Sequence, residues 1–421
     1  MSNQNDRGGG FLLWGINFVS SKIRNRKIKK FNTQARGVSQ YANVTTDFLL
    51  PAQSYQDNII VSGGSGADRL KFCEKILQNA RGHHRPVVVL TSGNISLENI
   101  ILQNGLGMVA SRSRRIYDAF TFLELSDIYQ VVLASGSQKY GISPTGRYIL
   151  QIVYDILQAQ NLRPYFANFA SFTYHQIPER INDCLLRGLI TQTKADELSN
   201  LFAMGKSELA KIDAFFHDAS SQMAHIAETS PNSAGASSAL SAIWNKQTIL
   251  IDVGSLSSSI LLESVASTLL TAVQKGLEFS LLVDNIPAPS GSPLQNILGQ
   301  NSKNNNIICA DDAFIMLGSD ERAFSSIVGL TDKTILLSHS SNISSEMWSR
   351  HIGDYEKIDT SQSRGGGWFQ SSRWGYVSNQ SQTETLKREQ KIKPEEINRL
   401  GQSQVVAYDS QEGVLIQANV I

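Results

Sequence analysis

The stretch Asn58-Ile-Ile-Val-Ser-Gly-Gly-Ser-Gly-Ala-Asp-Arg-Leu70 constrains the fold more than any other part of the chain. A short apolar strand (Ile59, Ile60, Val61) runs into a glycine turn. The turn opens a helix with Leu70, Phe72, Cys73, Ile76 and Leu77 on its apolar face. Strand, glycine turn and helix are the setting of a phosphate-binding loop, where backbone N–H groups and the helix N-terminus receive an anion. Laid on G-x-x-x-x-G-K-[ST], Gly63 takes the first position, but Asp68 stands at the second glycine, Arg69 at the lysine and Leu70 at the hydroxyl residue.

A working loop needs N–H groups around the phosphates, a lysine on the β/γ-phosphates and a hydroxyl on Mg²⁺. Gly63, Gly64 and Gly66 keep the turn tight. Asp68 puts a carboxylate where phosphate charge belongs. Arg69 keeps the charge on a planar, bulkier group, and Leu70 has no oxygen for a metal. The partner strand Phe279–Val283 ends in Asp284, a metal-side acid, but Asn285 follows it and supplies no general base. The expected nucleotide-binding residues, in degenerate form, are Gly63, Gly64, Gly66, Arg69, Asp284 and Asn285. No catalytic residue, metal site or required cofactor is expected, and weak binding of ATP and Mg²⁺ stays open.

The 421 residues suit one large domain or two to three smaller ones. At 41% apolar the chain can build a sizeable core, and 38 basic against 37 acidic residues leave no global field for nucleic acid. Cys73, Cys184 and Cys309 are far apart in sequence and form no C-x-x-C, which argues for a reducing compartment. Phe11 to Val19 is apolar and precedes Lys22, Arg24, Arg26, Lys27, Lys29 and Lys30. This is about half a membrane span. Residues 11–30 suit an interfacial anchor or a solvated basic tail. The expected location is cytoplasmic, with the inner face of the membrane as the second option.

The periodicity predicts strands at Val87–Leu90, Thr248–Val253, Phe279–Asp284, Asn306–Cys309 and Lys333–Leu337, a short strand at Gln130–Ala134, and a closing hairpin of Val405–Tyr408 with Val414–Ile416. From Thr145 to Glu228 it is helical. Thr193 to Asp196 reads as a capping box there. The expected fold class is α/β, a RecA-like P-loop parallel sheet with an inserted all-helical domain. The expected divisions are a tail at 1–34, an α/β domain at 35–142 and 243–421, an all-α insertion at 143–229 and a linker at 230–242.

Rival chemistry is sparse. Gly64-x-Gly66 followed by Arg69 is a poor dinucleotide fingerprint. Gly63-x-Ser65-x-Ala67 nearly fits a nucleophile elbow, with Asp284 and His339 following in order. Asp311 and Asp312 end a strand and read as helix caps. His83-His84 reads as a solvated turn. Arg112, Arg114 and Arg115, and the polar loop Thr360–Gly375 with Arg364, Trp368, Arg373 and Trp374, are candidate contacts for a nucleic-acid backbone or an acidic partner.

The order of parts resembles the cytoplasmic ATPase domain of type IV coupling proteins, translocases of conjugation and type IV secretion in the FtsK/HerA-like P-loop group. Gly63–Leu70, about Thr145–Glu228 and Leu281–Ile286 match that family's glycine loop, helical insertion and second acidic strand. Lys391-Ile-Lys-Pro-Glu-Glu-Ile-Asn-Arg-Leu400 is similar to its closing L-T-P-D-E-L-x-x-L segment. Thr91-Ser-Gly-Asn94 departs from its usual Asp-Pro-Lys-Gly-Glu motif. The resemblance implies a degenerate, non-catalytic subunit that binds protein partners or recruits substrate, as a homo- or hetero-oligomer. The alternatives are an ATP-dependent DNA or protein translocase with divergent motifs, and a serine hydrolase with Ser65 as nucleophile.

Overall fold

A computed structural model describes residues 23–228, 235–254, 260–300, 303–366 and 378–421, by backbone alone at 361–366 and 378–382. The strands, in chain order, are β1 (Val38–Val44), β2 (Ile59–Ser62), β3 (Val87–Thr91), β4 (Gly107–Ala110), β5 (Thr248–Asp252), β6 (Ser280–Asp284), β7 (Asn305–Ala310), β8 (Lys333–Leu336), β9 (Asp354–Gly366), β10 (Ser378–Gln390), β11 (Gln404–Asp409) and β12 (Val414–Val420). Ten of them form one sheet in the order β1-β12-β11-β8-β2-β7-β6-β3-β5-β4. Only β11 runs antiparallel to its neighbours, β8 and β12.

The continuous apolar runs follow from burial on both faces. Ile60, Val88, Leu90, Leu281 and Val283 point into one core. Ile59, Val61, Val87, Val89 and Leu282 point into the other. The second core is covered by the helices Gly66–Gly82 and Ile95–Gln103, through Phe72, Ile76, Leu77, Leu97 and Ile101. The first is covered by the helix Ile260–Gln274 and by the helical segments between β4 and β5. Those segments pack around Phe216, whose ring lies 5.2–6.1 Å from Phe120, Phe166, Phe169, Tyr174 and Phe215. The result is the expected doubly wound parallel sheet with an all-helical insertion.

Several local expectations are corrected. Gln130–Ala134 lies inside the helix Leu125–Tyr140, because Ile128, Val131, Val132 and Ser135 recur at helical spacing and are buried. The insertion's capping residue is Thr191, which accepts from Lys194 N at 3.3 Å, so Thr193 sits within the first turn. The helix Ile260–Gln274 is buried nearly all round, its Thr268 and Thr271 hydroxyls donating to carbonyls one turn back. Edge strand β4 and the ribbon of β9 with β10 have no apolar alternation to announce them. Thr360 to Gly366, read as loop, is strand; Trp368, Arg373 and Trp374 lie outside the described residues, as does the side chain of Arg364. Within 230–242, residues 239–242 belong to the helix Ala239–Trp244.

Residues 23–36 form a basic helix. It is tied down by Arg24 on Glu384 and by Arg36 on Glu396. Phe11 to Val19 lies outside the described residues. Among the described residues no helix is long and apolar enough to cross a membrane.

Candidate functional site

Parallel register aligns the carboxyl ends of the central strands. Ser62 pairs with Ala310 and Leu336, and Thr91 pairs with Asp252 and Asp284. Doubly wound sheets place ligands at this edge. Gly63 and Gly64, at φ +94° and +66°, turn the chain there. A Cβ on Gly63 would lie 2.7 Å from Ser338 O, and one on Gly64 would lie 2.8 Å from Leu337. These glycines are therefore required by packing against the segment after β8, whatever the turn binds. Gly66 is different, since its nearest neighbour would be an Arg69 nitrogen at 3.8 Å.

The loop's polar groups are turned to internal partners. Gly63 N donates to Ala310 O and Gly64 N to Ser338 O, at 3.0 and 2.8 Å. Ser65 caps the helix by accepting from Asp68 N, and its hydroxyl donates to the Asp68 carboxylate at 2.6 Å. Arg69 folds back across the turn. Its Nη1 donates to Gly63 O and Gly64 O, both at 2.9 Å, and its Nη2 forms an ion pair with Asp311. Two carbonyls thus face a nearly buried guanidinium where a phosphate cradle needs inward N–H groups.

The second acidic strand joins the same network. Asp284 Oδ2 accepts from Thr91 Oγ1 at 2.9 Å and from Asn94 Nδ2 at 2.8 Å. Asn285 has φ +55° and donates from Nδ2 to Asp311, while Asp311 N donates back to Asn285 Oδ1. Asp312 is the cap of the next helix, as expected for this pair, but Asp311 is not. Asp311 instead closes the chain Arg69–Asp311–Asn285. The sequence holds no signal for that role, because Asp311 and Arg69 are brought together only by strand order. Nor do Thr91 and Asn94 announce themselves in a stretch that departs from the family motif.

The residues present do not fit ATP with Mg²⁺. Arg69 is committed to the turn's own carbonyls, Leu70 offers no metal ligand, and Asn285 is engaged with Asp311. The Ser65, Asp284 and His339 triad is not assembled, which corrects the hydrolase expectation. Ser65 bonds Asp68, and Asp284 bonds Thr91 and Asn94. His339 Nδ1 donates to Leu337 O, so Nε2 accepts from Ser62 Oγ at 2.9 Å. Burial pushes the His339 imidazole below its usual range. Cys73 and Cys309, remote in sequence, meet beneath the turn with sulfurs 3.1 Å apart. Their mutual hydrogen bond and burial push the Cys309 thiol well up.

The other candidates lie away from the glycine turn: β4 stands at the far end of the carboxyl edge from β2, and His83 precedes β3. Arg112, Arg114 and Arg115 are exposed on the turn after β4, and none has an ion pair among the described residues. His83 stacks on Tyr55 with ring centres 4.1 Å apart.

The sheet order, helical insertion and carboxyl-edge turn can be matched to solved proteins. The fold is similar to that of the conjugative coupling protein TrwB. The TrwB structure with sulphate matches at TM-score 0.54 and 11% identity over 93% of this chain and 91% of that one. TrwB with ADP and Mg²⁺ matches at TM-score 0.54 and 10% identity over the same shares of 93% and 91%. No protein-family model matches the sequence, and no curated protein sequence does. TrwB has been solved with ADP and Mg²⁺; the likeness is one of fold, and in this chain the glycine turn holds the Arg69 guanidinium.

Proposed function

We propose that this protein is a coupling-protein-like component of a conjugation or secretion machine that binds partners or recruits substrate without turning over ATP. The observation that carries the reading is the Arg69 side chain, held by the carbonyls of Gly63 and Gly64 and by Asp311. The TrwB-like architecture supports the machine; the closed turn supports silence. Protein partners in such an assembly, at the cytoplasmic side of the membrane, and further copies of the chain complete the proposal. The exposed arginines Arg112, Arg114 and Arg115 are the proposed contact for DNA or an acidic partner.

Calorimetric titration of the full chain with ATP and Mg²⁺, beside a phosphate-release assay, tests this. The expected result is no saturable heat and no release above background. Saturable binding with Mg²⁺-dependent hydrolysis that Asp284→Ala abolishes would establish the translocase alternative instead.

A further inference from the structure

At the opposite edge of the sheet, the strands' amino ends frame a second concave region. The segment before β3 carries His83, His84 and Arg85, and the segment before β5 carries Trp244 and Lys246. Together with Tyr55 and Arg81 they line two adjoining concavities of about 530 and 380 Å³ that share His84, Arg85 and Lys246. Trp244 ends the helix Ala239–Trp244 and is 60% exposed, the most open aromatic side chain among the described residues. Beside it Tyr55 and His83 stack with an interplanar angle of 14°.

The net charge in this groove is positive. Its acid, Glu278, is neutralised by Arg85 at 2.8 Å. Arg81 touches only the Asn104 carbonyl, and Lys246 has no ion pair among the described residues. Two uncompensated full charges are too few for the several phosphate contacts of a nucleic-acid site. They match a pair of carboxylates. An exposed Trp beside a Tyr–His stack and cations has the composition of a protein-interface anchor.

We infer that this groove docks an acidic peptide segment of a partner protein, an aromatic or large apolar side chain seated against Trp244 and the Tyr55–His83 stack, with flanking carboxylates on Lys246 and Arg81. The docking is independent of the state of the glycine turn, so it stands or falls apart from ATP silence.

The test probes an array of random 12-residue peptides with the full-length protein and with the exposed-site variants Trp244→Ala and Lys246→Glu. Hits for the unmodified protein are expected to be enriched in Asp and Glu around Phe, Tyr, Trp or Leu. Resynthesised hits should bind in solution at least ten-fold more tightly than to either variant. Lys246→Glu should regain binding to a hit whose flanking acid is replaced by Lys. Thermal unfolding of both variants should match the unmodified protein. Hits without acidic enrichment, equal binding by the variants, or tighter Trp244-dependent binding of a dT₂₀ oligonucleotide would each overturn the inference.

Discussion

Replacing Arg69 with Met removes the guanidinium and keeps most of the apolar stem. Two charge-assisted hydrogen bonds to Gly63 O and Gly64 O are lost. Bonds to charged groups are worth about 1.5–3 kcal/mol each. The ion pair with Asp311 adds little, because that carboxylate is 64% exposed and screened. Removing Arg69 Nε, buried without a partner, returns roughly 1 kcal/mol. The net expectation is a loss of about 2–5 kcal/mol. With an unfolding entropy of about 2.1 cal/mol/K per residue, a chain of 421 residues shifts by roughly 1 °C per kcal/mol, so the melting temperature falls by about 2–5 °C. Asp311→Asn should cost under about 1 kcal/mol, so the two variants separate clearly in one thermal-unfolding series. Neither should gain ATP binding, since the Mg²⁺ hydroxyl and the second acid remain missing. An Arg69→Met protein as stable as the parent would refute the claim that the arginine holds the turn. An ATP-dependent thermal upshift in that variant would show a competent site under a removable plug.

Gly64→Ala should cost about 2–4 kcal/mol, from its left-handed φ of +66° and the Leu337 contact, whereas Gly66→Ala should be near neutral; equal losses in thermal unfolding would contradict the packing role. Asp118→Ala should cost about 3–5 kcal/mol, because the buried carboxylate accepts from Phe120 N, Phe166 N and Ala167 N, and limited proteolysis should then cut first in the helical insertion. Burial holds the His339 imidazole below its ordinary range, so the unfolded chain binds a proton that the folded chain resists. Its stability contribution is therefore present above about pH 6.5 and is lost as pH falls from there toward the folded value. His339→Gln should flatten part of that slope in melting temperature against pH, leaving the share of His351, which burial also lowers.

The central strands were legible because burial on both faces writes an uninterrupted apolar run, as at Val87–Leu90 and Leu281–Val283. β4 was not, since Gly107 and Met108 carry no strand signature and gain one only beside β5. Val131 and Val132 read as strand because a five-residue window cannot separate alternation from a helical stripe. The site followed the same division. Gly63, Gly64, Arg69, Asp284 and Asn285 were all visible against a motif, as matches or as departures, but their partners were not.

Chemistry absent from the side chains is settled by the sequence alone. Leu70 cannot ligate a metal and Asn285 cannot act as a base, in any fold. What tertiary structure decided is where the remaining polar groups go. Asp311 lies 242 positions from Arg69, and only the adjacency of β2 and β7 puts its carboxylate against that guanidinium. The same adjacency pairs Cys73 with Cys309 and gives Gly63 N the Ala310 carbonyl. Hydrogen bonds and ion pairs act over a few ångströms, so strand order, which no local spacing encodes, determines whether this turn faces a ligand or its own arginine.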